Sequence, residues 1–259
     1  MTLLHAYEDL VPGTLIKRYK RFLADVRLEN GRVITAFTPN SGSMKTCSDP
    51  GSPVMLIHDP KPGRKTEYNL EMVKSGDTWV GVNTGLANTL GSGIIDAGLT
   101  GHPQLEGFSV VRREITWGNS RFDLKISRGK EEGFVEIKNV TYRSEYTALF
   151  PDAVTTRGQK HLETLIQARS EGFAACNLYI VQRSDCRDFA PARGVDPGYA
   201  DAFDRAVLEG VIMMACLLEV HPEGIYFKHT LPFGERGGVE SVPSTQYPVP
   251  RSQEPEEGQ

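Results

Sequence analysis

Two neighbouring segments, Arg121-Phe122-Asp123-Leu124-Lys125-Ile126 and Val135-Glu136-Ile137-Lys138-Asn139-Val140, alternate in the rhythm of a β-strand. Phe122, Leu124 and Ile126 take one face of the first, which leaves Asp123 on the other with Arg121 and Lys125. Glu136 and Lys138 share a face of the second. Gly129 and Gly133 bracket the charged connection Lys130-Glu131-Glu132, which reads as a hairpin turn. Paired side by side, the strands bring one Asp, one Glu and one Lys to a single sheet face. That is the Asp…Glu-x-Lys arrangement of metal-dependent phosphodiester cleavage.

Each residue type answers a separate need of that chemistry. A phosphodiester is anionic and has a poor alkoxide leaving group. Two carboxylates can hold Mg²⁺ or Mn²⁺, which prefer oxygen ligands, and the carbonyl of Ile137 between the two site residues is a further candidate ligand. The ion offsets charge on the phosphate and acidifies a water, while a lysine beside that water positions it or balances developing charge. Asp123, Glu136 and Lys138 are therefore the candidate catalytic set, and Asp123, Glu136 and Ile137 the candidate metal ligands. The same residues also describe two amphipathic strands with solvated charges, because Glu-x-Lys is a common tripeptide.

The flanking segments favour the first reading. Phe108 to Ile115 reads as a strand, and Thr155 to Glu171 as a helix stopped by Gly172, with Leu162, Leu165, Ile166 and Ala168 on its apolar side. Asn177 to Val181 suits a buried strand. Three strands, a helix and another buried strand, with carboxylates on the second and third, form the core order of the restriction-endonuclease-like fold, often written PD-(D/E)xK. Phe122-Asp123 stands where that pattern usually has Pro-Asp. Pro151-Asp152 follows the Glu-x-Lys strand and lies outside the pattern. Pro197 to Glu209 reads as a later helix, and Ile212 to Val220 with Ile225 to Lys228 as a closing hairpin.

The N-terminal third is β-rich. Thr14 to Leu28 reads as one long strand, Asn30-Gly31 as a hairpin turn, and Val33 to Phe37 as the return. Val54 to His58, Thr66 to Lys74 and Trp79 to Val82 follow, separated by Pro60, Pro62, Gly63 and Gly76-Asp77. These five short strands predict a small barrel of OB type. Lys17-Arg18-Tyr19-Lys20-Arg21-Phe22 sets four cations among two aromatics, suited to phosphates and stacked bases, or to a strand with one charged face. Pro39 to Lys45 offers small residues and amides for a phosphate, or an ordinary turn. Asn83 to Gly101 reads as a joining helix despite Gly91 and Gly93, with Asn83 and Asn88 as caps or supports of the site.

Composition narrows the class. At 259 residues, 39% hydrophobic and 24% charged, the chain has the make-up of an ordinary globular protein with one or two domains. No apolar run approaches the roughly 18 residues of a membrane span. The first residues lack a basic segment followed by an apolar core, so no signal peptide is expected and the expected location is cytoplasmic. Cys47, Cys176, Cys186 and Cys216 show no zinc spacing and read as reduced thiols, with disulfides the minor alternative. Net charge is −4, so any nucleic-acid footprint lies in the distribution of charge and not its sum. There is no Gly-rich nucleotide loop and no triad spacing. Residues 233–259, rich in Gly, Ser, Pro and Glu, are expected to be a disordered tail.

Taken in order, the segments Leu15 to Val26, Pro39 to Met44, Val82 to Thr84, Ser120 to Asp123, Val135 to Thr141 and Phe150 to Leu162 resemble one family, the sugar fermentation stimulation proteins. The resemblance spans about residues 13–232. It implies an OB-like nucleic-acid-binding domain over 1–82, a nuclease-like α/β domain over 83–232, and DNA as the partner, single- or double-stranded. It places the nuclease-like centre on Asp123, Glu136 and Lys138, with Mg²⁺ or Mn²⁺ as cofactor. Nucleic-acid contacts then fall to Lys17, Arg18, Tyr19, Lys20, Arg21, Asn40 and Lys160, the last near a helix N-terminus where amides and dipole favour anions. His161 beside it reads as a packing or capping residue. Glu114 is an additional acid or a surface charge. Gln159 lacks the Tyr that some relatives of the wider fold carry four positions later, where this chain has Glu163. The expectation is a DNA-binding protein with metal-dependent nuclease activity. The alternative is a non-catalytic DNA-binding regulator of sugar-utilisation genes with a vestigial nuclease site. Oligomeric state stays open, a homodimer being one form such nucleases take to cut both strands.

Overall fold

The structure, a computed structural model, describes residues 1–118 and 120–234. In chain order its strands begin with β1 (Thr2–Ala6), β2 (Leu10–Tyr19), β3 (Leu23–Leu28), β4 (Val33–Phe37), β5 (Pro53–His58), β6 (Tyr68–Ser75) and β7 (Thr78–Gly81). A 3-10 turn at Thr84–Leu86 leads into helix α1 (Ala87–Asp96). Then come β8 (Ser109–Trp117), β9 (Ser120–Arg128), β10 (Glu131–Val140), β11 (Arg143–Ser144), β12 (Thr147–Phe150), α2 (Thr156–Ser170), β13 (Ala174–Val181), β14 (Asp188–Pro191), α3 (Pro197–Leu208), β15 (Ile212–His221) and β16 (Gly224–Leu231).

Strands β2 to β6 close into a barrel. β3 lies between β2 and β4, β5 between β2 and β6, and a parallel bridge from Phe37 to Asn69 joins β4 to β6 and completes the circle. Alternation drives closure: Ala24, Val26 and Leu28 turn inward to meet Leu15, Leu56 and Leu70, while Asp25 and Arg27 face out. This is the OB-fold. The expected single strand from Thr14 to Leu28 is two strands, however. Lys20 and Arg21 adopt left-handed φ of 47° and 64° and turn the chain back. No Gly, Pro or Asn marks that turn, which is why the alternating pattern runs through it unbroken.

The second body is a seven-stranded mixed sheet, ordered β1-β16-β15-β13-β10-β9-β8. β10, β13 and β15 run parallel, joined through α2 and α3, and the flanking strands are antiparallel. Leu90, Ile94 and Ile95 of α1 cover one face with Leu124, Val135, Ile137 and Leu178. Leu162 and Leu165 of α2 and Tyr199 and Phe203 of α3 cover the other with Phe134 and Tyr179. Helices on both faces explain why β13 reads as an unbroken apolar run. β11, β12 and β14 form a small third sheet beside it.

Two expectations need correction here. The range 1–82 is not all barrel, because β1 pairs with β16 at the edge of the large sheet, Thr2 opposite Phe227 and Ala6 opposite Gly224. Its partner lies at the other end of the chain, so no local pattern announces it. The joining helix is shorter than Asn83 to Gly101, and Gly91 sits inside it because a Cβ there would come within 2.5 Å of Ile137 Cδ1. At the C-terminus, Phe233 and Gly234 pair with Phe189 on β14, and the rest of the expected tail, 235–259, lies outside the described residues.

Candidate metal and nucleic-acid site

The β9–β10 ladder runs from Arg128–Glu131 to Leu124–Val135. Beyond that pair a side chain takes over from the β9 backbone: Asp123 Oδ2 accepts from the amide of Ile137 at 2.7 Å. Asp123 Oδ1 accepts from Asn88 Nδ2 of α1 at 3.0 Å. Asn88 thus supports the site directly and is not merely a cap. Glu136 is 3% exposed on the face that α2 covers. Its Oε1 accepts from Lys138 Nζ at 2.6 Å and from His161 Nδ1. Its Oε2 is buried with no hydrogen-bond partner among the described residues.

His161 reaches the centre because α2 starts where it does. Thr155 caps the helix, its Oγ1 accepting from Gly158 N at 3.0 Å. One turn on, Arg157 and His161 are neighbours at i, i+4, and Arg157 Nε donates to His161 Nε2 at 3.4 Å. The structure therefore brings His161, read as a packing or capping residue, against Glu136. Lys160 lies on the exposed side of the same turn. The i, i+4 spacing of Arg157 and His161 was the available sequence signal. Gln159 donates to Asp196 at 3.0 Å, at the N-cap of α3, and Glu114 pairs with Arg121 at the surface.

Electrostatics separates the two carboxyls. Burial and the charge of Glu136 raise the pKa of Asp123, against the pull of the Ile137 amide, Asn88 and Lys138. Burial also pushes Glu136 up, but hydrogen bonds and charge from His161 and Lys138 outweigh it and hold that carboxyl below its usual range.

The cationic segment divides by parity. Lys17 is exposed, lying over the Tyr19 ring at 5.2 Å, and Tyr19 donates to Asp25 at 3.0 Å. Arg18 points the other way and donates to the carbonyls of Asn40, Gly42 and Ser43 at 2.9, 2.9 and 3.1 Å. Asn40 is buried, donating to Val82 O at 3.2 Å and accepting from Gly42 N at 2.8 Å. Arg18 and Asn40 therefore shape the Pro39–Lys45 loop from within. That loop does bind an anion, but the chain's own: Asp152 Oδ2 accepts from Ser43 N at 2.6 Å, Ser43 Oγ at 3.1 Å and Met44 N at 3.4 Å. A cleft of about 410 Å³ runs between the bodies, from Arg21 past Ser41 and Asp152 to Lys138 and Asn139.

The chain matches two domain families in sequence: the SfsA N-terminal OB domain over residues 16–82 and the sugar fermentation stimulation protein RE domain over residues 85–224. The chain belongs to the sugar fermentation stimulation protein family. The homologue from Geotalea daltonii is 46% identical over 86% of this chain and 96% of its own length. The homologue from a Synechococcus strain is 48% identical over 82% and 88%. The structure is similar to that of Pyrococcus furiosus SfsA in complex with Ca²⁺, at a TM-score of 0.81 and 29% identity, covering 90% of this chain and 100% of that one.

The donor chemistry at this centre is of the kind a hard divalent ion takes. Asp123 and Glu136 supply carboxylate oxygens, and the orphaned Oε2 of Glu136 is a buried acceptor that a cation would satisfy. Among the described residues no three His, Cys, Asp or Glu side chains gather as a ready-made metal cluster, so remaining positions would fall to main chain or water. No helix among the described residues is long and apolar enough to cross a membrane.

Proposed function

We propose that this protein binds DNA and cleaves its phosphodiester bonds with Mg²⁺ or Mn²⁺ held by Asp123, Glu136 and the Ile137 carbonyl. The observation that carries the reading is the buried, unpartnered Oε2 of Glu136, on a carboxylate coupled to Asp123 and bonded to Lys138. A bound ion would supply charge neutralisation at the phosphate and a more acidic water. The chain's own residues do the rest. Asp123 is fixed by two donors, the Ile137 amide and Asn88. The amide and carbonyl of an extended residue leave the same edge of a strand, so the Ile137 carbonyl faces the side on which Asp123 sits. Lys138 places a cation beside Glu136, available to developing negative charge.

Recognition would fall to the outer barrel surface. Lys17, Lys20 and Arg21 present charge, with Arg21 among the residues that line the cleft. The rings of Phe22 and Phe37 stack at 6.1 Å, and Arg64 lies 5.8 Å from Phe37, which suits unpaired bases. Affinity should fall steeply with salt if several phosphates are neutralised.

The non-catalytic DNA-binding regulator also has an observation in its favour: Glu136 Oε1 is already satisfied by Lys138 and His161 without any ion. Incubating plasmid and single-stranded DNA with Mn²⁺, for wild type and Glu136→Ala, separates the readings. Nuclease function requires cleavage by the wild type and its loss in the variant. Equal cleavage by both removes Glu136 from the catalytic set, and DNA binding without cleavage by the wild type favours the regulator.

A further inference from the structure

The contacts around His161 fix its tautomer. Arg157 Nε lies 3.4 Å from His161 Nε2, and a guanidinium has only donors, so Nε2 is the acceptor and the ring proton sits on Nδ1. Nδ1 then donates to Glu136 Oε1. Lys138 Nζ, 3.3 Å from Nδ1, is a second donor aimed at the same oxygen and not a partner of the ring. Both donors therefore converge on Oε1, and Oε2 receives none although it is buried. Lys138 cannot impose this division alone. It lies two residues along the same strand, on a long flexible stem, whereas the imidazole is rigid, buried and carried by α2. α2 is itself anchored, since Asp196 at the start of α3 accepts from Thr155 N at 2.8 Å and from Gln159 at 3.0 Å.

We propose that His161 is a positioning residue for the cation: by donating from Nδ1 to Oε1 it fixes the carboxylate of Glu136 and leaves Oε2 for the ion, while Arg157 sets the tautomer. The inference rests on the metal-site reading above and names the residue that tunes that site. An alternative role, simple packing between α2 and β10, makes a different prediction. Asn places an amide nitrogen close to where Nδ1 lies, whereas Gln places one near Nε2. Positioning is therefore rescued by Asn and not by Gln.

The test is Mn²⁺ binding to the full-length protein without nucleic acid, by calorimetry and by electron paramagnetic resonance of free Mn²⁺. Wild type, Glu136→Ala, His161→Ala, His161→Asn and His161→Gln are compared, with melting temperatures taken without metal. His161→Ala should weaken Mn²⁺ binding about 10- to 100-fold, the usual effect of losing an orienting partner. His161→Asn should recover most of that loss and His161→Gln should not. Wild-type affinity in His161→Ala, with binding lost in Glu136→Ala, overturns the positioning role and leaves the metal site standing. Equal losses in the Asn and Gln variants also overturn it, in favour of packing. If wild type and Glu136→Ala alike bind no Mn²⁺, the metal reading fails and this inference falls with it.

Discussion

Two buried glutamates show how one residue type serves different ends. Glu71 on β6 is 2% exposed, and both its oxygens accept from Asn83 Nδ2, at 3.0 and 2.8 Å. With no cation among the described residues against it, burial dominates and pushes its pKa up to about 7, the Asn83 hydrogen bonds pulling back and Asp59 adding to the rise. Glu136 is as deeply buried but has Lys138 and His161 against one oxygen, and its pKa moves down. For Glu71 the raised value means that folding favours the protonated form. Its contribution to stability is whole below the ordinary glutamate value near 4.5 and is lost as pH rises through about 7. The difference corresponds to roughly 3 kcal/mol across that window. Glu71→Gln should flatten the fall in melting temperature between pH 5 and pH 8, matching wild type at the acid end and exceeding it at the alkaline end. Parallel melting curves for the two proteins would remove Glu71 as the titrating group.

At the level of elements, the β2–β3 turn carries strain that a neutral design would avoid. Lys20 and Arg21 both have left-handed φ, a conformation costing a non-glycine residue roughly 1–2 kcal/mol, where Asn-Gly would sit with little cost. Charge at the tip is what the strain retains, since Arg21 lines the cleft. Lys20→Asn with Arg21→Gly should raise the urea midpoint by an equivalent of about 1 kcal/mol. The same pair should weaken DNA binding and reduce the slope of log affinity against log salt by about 1 to 2. A stabilised variant with unchanged DNA affinity would show that the turn serves neither phosphate nor cleft. Elsewhere close approach selects glycine. At Gly133, where β10 begins its ladder with β13, a Cβ would come within 2.6 Å of the Ala174 carbonyl.

Across the whole molecule the barrel is held to the sheet by polar ties. Asp152 occupies the amides of Ser43 and Met44, and Arg18 braces that loop from behind. Arg183, fully buried, donates to Thr141 O at 2.7 Å and Thr46 Oγ1 at 3.1 Å, and is paired with Asp185. Gly81 N, on β7 beside barrel strand β6, donates to Gln182 O, 2.9 Å away at the end of β13. Asp152→Asn keeps an acceptor but loses the charge, and charge-assisted hydrogen bonds are about twice as strong as neutral ones. The variant should lose about 1–2 kcal/mol of stability and show faster hydrogen exchange at Ser43 and Met44. Unchanged exchange at those amides would mean that Asp152 does not hold the loop in solution.

The sequence alone determined the parts that local pattern can carry. Period-two alternation revealed β9, β10 and most barrel strands, and the apolar run of β13 announced burial on both faces. The approach of Lys138 to Glu136 was legible because side chains two apart on a strand share a face, whereas Asp123 reaches β10 beyond the last ladder pair and meets Asn88 of α1. What the tertiary structure decided depends on contacts between distant segments. β1 finds its partner at the far end of the chain, and the amides of Ser43 and Met44 in the 39–45 loop meet Asp152. Arg18, read as a ligand contact, turns inward onto that loop, and His161 becomes a neighbour of Glu136 only once α2 packs on the sheet. A residue's chemistry is written in its letter, but the partner that tunes it is chosen by packing across the chain.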